Sequence, residues 1–358
     1  MKPRVSFFSP LPPMNSGISD FSQSTLSEFV KSADVTAFVH RKNLKRLSGM
    51  NYEFATLQNW MNAKDDVKII VLGNSHFHAQ GVEFAHFSRH TAIIHDVQMS
   101  GLNSNLLPVY PEFAGYLSGV ESLIPHAQKA VNTIVHGRTL GRNLQQLTSS
   151  NVITLPFVAQ RTPNCDEQNS IKEISKKQNE PLRVGVFGDV DLSFKAADVI
   201  LEAFAWLRLW KIKTEIRFIG AVTTETKIRL LSIAAKAGIQ HLVSFSGRTK
   251  ERTYRRELCN VDLGLIVRRD PRSSLSGAAS DLASFGVPTL APINMISEMD
   301  LPVFFTPIPE SFSPITIAKL ILDFIEKDQN PQSNFEISQK YVKEHSPKLY
   351  AEKLMELI

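Results

Sequence analysis

Short apolar runs alternate along the first half of the chain with segments whose apolar residues recur at helical spacing. The runs predict strands at Val5–Ser9, Val35–Val39, Val67–Leu72, Thr91–Ile94, Thr133–Val135 and Val152–Leu155. The spacing between them predicts helices over Phe21–Val30, Tyr52–Met61 and Phe77–Phe87. This alternation is typical of βαβ units, in which helices cover both faces of a parallel sheet.

From Ala159 to Pro181 the chain turns polar and predicts a linker. The alternation then resumes, with strands predicted at Arg183–Phe187, Glu215–Ile219, Leu242–Phe245, Leu263–Val267 and Thr289–Leu290. We therefore expect an α/β protein of two doubly wound domains that face a central cleft, with ligands beyond the carboxyl ends of the strands. We place the domains at 1–160 and 182–334, the linker at 161–181, and C-terminal helices at 335–358, which should pack back on the first domain.

Composition excludes several classes of protein. Of 358 residues, 43% are hydrophobic and 21% charged, which is an ordinary globular balance and excludes a disordered or fibrous chain. The densest apolar runs, Val67–Gly73 and Leu301–Pro307, are strand-sized and far shorter than a membrane span. The start turns proline-rich too soon for a signal peptide. Two cysteines, Cys165 and Cys259, fit a reducing compartment, so we expect a cytoplasmic protein.

The net charge of +5 is spread over the chain, with an excess of three positive residues in 1–157 and two in the rest. A nucleic-acid-binding protein would concentrate such charge in a stripe with interleaved aromatic residues, and the sequence has no such stripe. A weakly basic surface suits anionic small molecules and anionic membranes equally well. Basic residues on either side of the linker predict peripheral contact with the inner face of a membrane.

Three loops have the composition of anion sites. In the first, Ser16-Gly17 precedes a helix, where backbone amides could meet an anion; an ordinary turn with Ser19 or Asp20 as N-cap explains the same residues. In the second, the hydroxyl-rich stretch Ser273–Ala279 opens a helix close to three arginines, although a capped helix after a flexible loop would look similar. In the third, Lys195 enters a helix after a strand and could reach a phosphate, or could simply be solvated.

Histidines supply the remaining candidates. His86 and His90 have the i, i+4 spacing of a metal pair, but a glutamate and a third ligand are missing, so we predict no metal site. His95 follows a buried strand directly and could hydrogen-bond a substrate hydroxyl, act as a base, or merely pack against the neighbouring domain. The sequence has no Gly-x-Ser-x-Gly elbow, Walker loop or dinucleotide glycine motif, which argues against serine hydrolases, P-loop enzymes and typical NAD enzymes.

Taken in order, several segments resemble the GT-B glycosyltransferases, in particular the retaining family 4 group with its mannosyltransferases. The segments are SPLPPMNSGISDFS, VLGNSHFHAQ, AIIHDVQMSGL, TIVHGR, FGDVDLSFKAADVILEAF, FSGRTKERTYRRELCNVDLGLIVRRDP and SGAASDLASFGVPTLA. They span nearly the whole chain. The resemblance implies a GT-B fold of two Rossmann-like domains, with the acceptor on the first, the donor on the second, and no metal or other cofactor.

The resemblance also implies roles for individual residues. It makes His95 the catalytic residue beside the transferred sugar and places the donor against Gly17, Lys195, Ser276, Gly277 and Asp281, of which Asp281 would hold the ribose hydroxyls. Further donor-binding candidates are Ser16, Asp189, Arg268, Arg272, Ser273 and Ser274.

The chain departs from the group's pattern at three positions. Asp189 stands where the group has arginine, Ala196 where it has glycine, and Ser273 where it has the first glutamate; in a variant of the motif the missing acid falls at Ser274. Arg268, Arg269 and Arg272 are candidates to replace the missing positive charge.

We therefore expect a retaining glycosyltransferase of cell-surface polysaccharide synthesis. It would transfer a sugar from GDP-mannose or a UDP-sugar to a glycan or a lipid-linked oligosaccharide. The departures keep open a catalytically silent protein that binds a sugar nucleotide or glycan for a partner enzyme. A nucleotide-sugar epimerase is disfavoured, because the opening loop and the Ile-His-Asp segment match transferases better.

Overall fold

The computed structural model describes residues 2–14, 16–40, 46–164, 166–168, 180–270, 275–327 and 330–357. It divides into two compact units: unit 1 comprises Met1–Gln160 and Glu344–Ile358, and unit 2 comprises Arg161–Lys343. Three candidate donor-binding residues, Arg272, Ser273 and Ser274, lie outside the described residues, as does most of the expected linker.

Unit 1 is built on seven parallel strands in the spatial order β3-β2-β1-β4-β5-β6-β7. The strands are β1 (Arg4–Phe8), β2 (Asp34–Val39), β3 (Met50–Phe54), β4 (Val67–Leu72), β5 (Thr91–Ile94), β6 (Asn132–Val135) and β7 (Asn151–Thr154). The helices that follow them are α1 (Gly17–Phe29), α2 (Leu57–Asn62), α3 (Ala79–Phe87), α4 (Ser100–Leu106), α5 (Ile124–Ala127) and α6 (Arg138–Leu147). Strand order reverses between β1 and β4, as in a doubly wound sheet.

Unit 2 repeats this plan with six parallel strands in the order β10-β9-β8-β11-β12-β13. The strands are β8 (Leu182–Phe187), β9 (Thr214–Ile219), β10 (Val243–Gly247), β11 (Leu263–Leu265), β12 (Thr289–Pro292) and β13 (Phe305–Ile308). Its helices are α7 (Ala197–Leu209), α8 (Thr224–Lys236), α9 (Glu251–Asn260), α10 (Gly277–Ser284), α11 (Ile293–Glu298), α12 (Pro314–Glu326) and α13 (Pro331–Glu344). The prediction of two doubly wound α/β domains is confirmed. No helix in the described ranges is both long and apolar enough to cross a membrane.

Central strands bury side chains on both faces of each sheet. On β4, Ile70 and Leu72 pack into one core of unit 1, while Ile69 and Val71 pack into the core on the opposite face. Two-sided burial explains why such strands read as unbroken apolar runs in the sequence.

The two C-terminal helices belong to different units. Helix α13 ends unit 2, whereas α14 (Pro347–Glu356) packs against α1 in unit 1. There Tyr350 and Leu354 join the core that contains Phe21. The division between the units therefore falls at Glu344, at the end of α13, rather than at residue 335.

The helix predicted over Tyr52–Met61 is wrong. Strand β3 occupies Met50–Phe54, and only Leu57–Asn62 is helical. Strand β3 lies at the edge of the sheet, and its residues are exposed or half-buried, so it lacks the apolar run that marks the central strands. Trp60 on α2 is fully buried and packs against Phe38 and Phe84.

Two glycines fix the loop that follows β8. Gly188 has a φ of +94°, and its N–H donates to the carbonyl of Ile219 at the end of β9. Gly220 has a φ of +159°, and a Cβ atom on it would collide with the carbonyl group of Gly188. The backbones of the two loops therefore touch, and only glycine permits this approach.

We expect Gly220→Ala to destabilise the protein by about 2 kcal/mol or more, because the methyl group would force the β8 loop away from β9. The matched control is Gly247→Ala: Gly247 has a φ of +66°, but a Cβ atom there would meet nothing within 4 Å. That variant should lose only about 1 kcal/mol from backbone strain. Urea unfolding measures both free energies, and equal losses would contradict the proposed collision.

Candidate functional site

The carboxyl end of the unit 2 sheet brings three predicted features to one edge. Lys195 follows β8, Arg268 follows the neighbouring strand β11, and α10 begins after β11. In a parallel sheet, the loops after the strands and the amino ends of the crossover helices lie at this same edge. The topology therefore places two cations and a helix start where such sheets bind ligands.

The loop between β8 and α7 is held by the carboxylate of Asp191. Its Oδ1 atom accepts hydrogen bonds from the backbone N–H groups of Phe194 at 2.6 Å and Lys195 at 3.0 Å. Ala196 then takes a left-handed conformation, with φ 50° and ψ 42°, directly before α7. The resemblance places a glycine at this position, and the backbone keeps the glycine-favouring conformation although the residue is alanine.

Lys195 is a half-buried cation. A Cβ atom placed on Gly188 would lie 3.1 Å from its Nζ atom, so the ammonium group lies over the end of β8. Burial and, to a smaller extent, the charge of Arg268 together lower the pKa of Lys195 to about 8, although Asp189 and Asp191 oppose the shift. Asp189 is itself exposed. The lysine is therefore charged at neutral pH but only weakly neutralised.

Arg268 is more deeply buried, with 8% of its surface exposed. Its guanidinium lies 5.3 Å from the centre of the Phe194 ring, and its Nη1 atom donates to the carbonyl of Val267 at 3.0 Å. Its Nε atom is buried without a hydrogen-bond partner in the described part of the chain. Burial lowers the pKa of Arg268 to about 10, and Asp191 partly opposes this.

The start of α10 is open. Ser276 is the N-cap, and its Oγ atom accepts a hydrogen bond from the N–H of Ala279 at 3.3 Å. Gly277 is exposed, and a Cβ atom on it would meet nothing within 4 Å. The first N–H groups of a helix have no partner within the helix, and they carry the positive end of its dipole. This end of α10 can therefore approach an anion closely.

Asp281 does not present its carboxylate to solvent. Its side chain is 4% exposed, and its Oδ2 atom accepts from Arg161 Nη1 at 3.2 Å and from the Tyr254 hydroxyl at 3.0 Å. Burial raises the pKa of Asp281 to about 6, although Arg161 and Tyr254 lower it. The structure thus gives Asp281 a place in a buried ion pair, and its predicted hold on ribose hydroxyls remains a prediction.

The sequence gives no sign of the structural contacts made by three residues, Arg161, Tyr254 and Arg269. Arg161 also binds Glu251, with both N–O distances at 3.1 Å. Arg269 ties two loops together, because its side chain donates to the carbonyl of Leu192 and pairs with Asp198 at 2.6 Å. Arg161 and Asp281 are 120 positions apart, so only the folded chain reveals their contact.

In unit 1, Ser16 and Gly17 open α1. Ser16 is the N-cap, since its side chain accepts a hydrogen bond from the N–H of Ile18 at 3.3 Å; the expected caps Ser19 and Asp20 lie inside the helix. A Cβ atom on Gly17 would meet nothing within 4 Å, so this helix start is open in the same way as that of α10.

His95 follows β5, as predicted, but its ring is enclosed. It packs edge-on against Phe21, with 4.0 Å between ring centres, and lies near His136 and Phe157. These neighbours belong to unit 1, so the ring packs within its own unit. Burial lowers the pKa of His95 well below its usual value, and His136 lowers it further. The ring is therefore neutral at pH 7 and a weak base.

Two further histidines, His78 and His136, are also buried and neutral at pH 7. The Nδ1 atoms of His78 and His136 lie 3.0 and 3.3 Å from the carbonyls of Val71 and Leu155, so each Nδ1 carries the proton and each Nε2 is an acceptor. Burial lowers the pKa of both rings to about 4. Among the described residues, none supplies a partner to the buried Nε2 atoms of His78, His95 and His136.

The i, i+4 spacing of His86 and His90 does not place the two rings on one face of a helix. Helix α3 ends at Phe87, so the two residues do not share a helix face. The Nδ1 atoms of the two rings each lie 2.9 Å from a nearby backbone carbonyl, Val82 for His86 and Ser88 for His90. Within the described ranges, no three His, Cys, Asp or Glu residues form a group that could hold a metal ion.

Solved structures of other proteins resemble the chain over its whole length. WaaG, a glycosyltransferase involved in lipopolysaccharide biosynthesis, is 13% identical, and the match covers 99% of each chain with a TM-score of 0.65. Anabaena HepE, solved with UDP and glucose, is 13% identical, with 99% of each chain covered and a TM-score of 0.68. A putative UDP-N-acetylglucosamine 2-epimerase from Listeria monocytogenes is 11% identical, covering 99% of this chain and 95% of the other with a TM-score of 0.56. No protein-family profile and no curated protein sequence matches the chain.

The chain has the GT-B fold. Its two units of seven and six parallel strands are the two Rossmann-like domains of that fold. Because the identities are so low, the likeness establishes architecture, and function has to be argued from the residues. Membership of the family 4 group stays a prediction.

We expect Asp281→Ala to destabilise the protein by about 3 kcal/mol, because it leaves Arg161 and the Tyr254 hydroxyl buried without this acceptor. The control is Glu251→Ala, which removes the other carboxylate on Arg161; its side chain is 55% exposed, so the loss should stay below about 1 kcal/mol. Urea unfolding gives both values. Unchanged stability of Asp281→Ala, together with lost nucleotide binding, would instead support the ribose-holding role.

Proposed function

We propose that the protein is a glycosyltransferase that binds the diphosphate of a nucleotide sugar at the carboxyl edge of the unit 2 sheet. The observation that carries this proposal is the poorly neutralised Lys195, half-buried at the edge where the open start of α10 lies. Lys195 would contact the diphosphate as a point charge, and the first amides of α10 would donate to its oxygens.

This arrangement suits glycosyl transfer because the leaving group is a nucleoside diphosphate. Negative charge grows on its oxygens as the bond to the sugar breaks, so fixed cations and amides bind the transition state more strongly than the ground state. We propose that Lys195 and the amides supply this stabilisation without a metal ion. Retention of configuration, with the acceptor attacking the face that the diphosphate leaves, is part of the proposal.

The nature of the donor is proposed from two sources. The opening segment PPMNSGISDFS resembles that of mannosyltransferases and favours GDP-mannose. HepE, which shares the fold, has been solved with UDP-glucose, and we therefore include UDP-sugars among the proposed donors. WaaG acts in lipopolysaccharide biosynthesis, and we propose an acceptor of related chemistry, a glycan or a lipid-linked oligosaccharide. To reach a lipid-linked acceptor, the protein would contact an anionic membrane surface.

We propose that His95 contributes to this function through a hydrogen bond and not through charge. Its ring is neutral at pH 7, because burial lowers its pKa, and its Nε2 atom lacks a partner among the described residues. A neutral imidazole suits a sugar hydroxyl better than a phosphate.

We expect Lys195→Met to weaken binding of UDP and GDP at least tenfold and to abolish sugar transfer from UDP-glucose and GDP-mannose. The same substitution should raise the free energy of unfolding at pH 7 by about 1–3 kcal/mol, because the charged form of Lys195 is disfavoured by burial. Its pKa of about 8 lies below the ordinary 10.5, so this gain should shrink as the pH rises from 8 to 10.5. Calorimetry and urea unfolding measure the two effects.

The exposed Lys236, at the end of α8, provides the matched control, and Lys236→Met should change neither property. Full activity of Lys195→Met would refute the assigned diphosphate site. Binding of UDP or GDP by the unaltered protein without any transfer would support a catalytically silent binding protein. Conversion of the donor sugar without an acceptor would support an epimerase.

We expect Gly277→Ala to weaken UDP and GDP binding about tenfold while leaving stability unchanged or slightly raised. The added methyl group meets no protein atom, and alanine favours a helix. If Gly277 has only a structural role, the substitution should therefore not lower stability. The methyl group would, however, obstruct close approach of a phosphate to the first amides of α10. Calorimetry and thermal unfolding distinguish the two outcomes; unaltered affinity would show that the diphosphate does not contact this helix start.

A further inference from the structure

Arg268 lies in surroundings that its neighbour Arg269 does not share. Arg269 is a satisfied surface arginine: its side chain is 42% exposed, and it pairs with Asp198 and donates to the Leu192 carbonyl. Arg268 is more than nine-tenths buried. Its Nη1 atom donates to the carbonyl of the preceding residue, and its Nε atom has no partner among the described residues. Packing alone explains Arg269 but not Arg268.

Among the residues that the structure describes, no carboxylate forms an ion pair with Arg268. The carboxylate that acts on it is that of Asp191, and the Oδ1 atom of Asp191 already accepts the N–H groups of Phe194 and Lys195. Lys195 adds a second positive charge nearby, whose pKa Arg268 lowers. One buried and one half-buried positive charge with so little compensation are costly in the free protein, and an arriving anion would relieve that cost.

Arg268 also lines a small depression at the carboxyl ends of β12 and β13, which has room for about one water molecule. The other lining residues are Pro292, Ile293, Asn294, Ile308, Pro309, Glu310 and Phe312. Besides Arg268, the polar side chains there are Asn294 and Glu310, and Asn294 donates to the Glu310 carboxylate at 2.8 Å.

We propose that Arg268 and Lys195 bind the same diphosphate, Arg268 supplying the second positive charge of the donor site. This inference rests on the proposed function. The guanidinium of Arg268 can donate two parallel hydrogen bonds to phosphate oxygens, which the single ammonium of Lys195 cannot do. The Phe194 ring, whose centre lies 5.3 Å from this guanidinium, is close enough to attract its positive charge.

The test compares Arg268→Gln and Arg268→Lys, which are similar in size and differ in charge. We expect Arg268→Gln to weaken binding of UDP, GDP and inorganic pyrophosphate at least tenfold, and Arg268→Lys to weaken it only a few-fold. Pyrophosphate isolates the effect on the phosphates from any contact with the base. The control Arg229→Gln removes a positive charge from the exposed face of α8 and should change no affinity.

A second variant tests charge against structure. The exposed Asp189 acts electrostatically on Lys195, so a cation at position 189 would act on the same ligand. Asp189→Arg combined with Arg268→Gln should recover at least half of the lost binding free energy. A structural role for Arg268 predicts no such recovery, and thermal unfolding shows whether Arg268→Gln remains folded.

The outcomes separate this inference from the proposed function. Pyrophosphate and nucleotide affinities that are unchanged in Arg268→Gln but lost in Lys195→Met would overturn the role of Arg268 and leave the function standing. Loss in Arg268→Gln without recovery in the double variant would also overturn it. If the unaltered protein binds neither UDP, GDP nor pyrophosphate, the proposed function fails, and the role of Arg268 fails with it.

Discussion

The candidate site depends on the confinement of two positive charges at one edge of the unit 2 sheet. Lys195 and Arg268 are partly removed from water, where the charge of one disfavours the charge of the other. Such an arrangement lowers stability and persists only because the surrounding backbone is fixed. Asp191 holds the loop of Lys195 through two backbone amides, and Arg269 ties that loop to the one after β11. The positive charge is thus in place before any ligand arrives, which is the condition for electrostatic preorganisation.

The same loop keeps a backbone conformation that favours glycine, although the residue there is alanine. Ala196 adopts a left-handed conformation that costs an L-residue about 1–2 kcal/mol relative to glycine. Its side chain is fully buried in the unit 2 core, and this burial offsets part of the strain. A change from glycine to alanine therefore does not signal a different path of the chain. Position 189 is different, because aspartate in place of arginine reverses the charge, and no change of packing can compensate for that.

Sequence patterns predicted those parts of the fold in which burial decides the pattern. Central strands such as β4 and β8 are buried on both faces and read as unbroken apolar runs, so their positions were predicted nearly to the residue. The edge strand β3 is exposed or half-buried, and its sequence pattern predicts a helix instead. At the site, Lys195 and Ser276 follow from local motifs, whereas the Arg161–Asp281 pair joins residues 120 positions apart. No local pattern can reveal such a contact, and the role that the resemblance implies for Asp281, holding the ribose hydroxyls, stays a prediction.

Each unit carries side chains of a different electrostatic character at the carboxyl edge of its sheet, and this follows from burial. In unit 1, His78, His95 and His136 lie after three consecutive strands, and burial keeps all three rings neutral near pH 7. Histidine loses its charge on burial at modest cost, because its ordinary pKa is already close to neutrality. Lysine and arginine have much higher pKa values, so Lys195 and Arg268 keep their charge despite the same physical effect. Burial alone thus leaves unit 1 with neutral imidazoles and unit 2 with cations, and the proposed transfer of a sugar from a nucleoside diphosphate would use both.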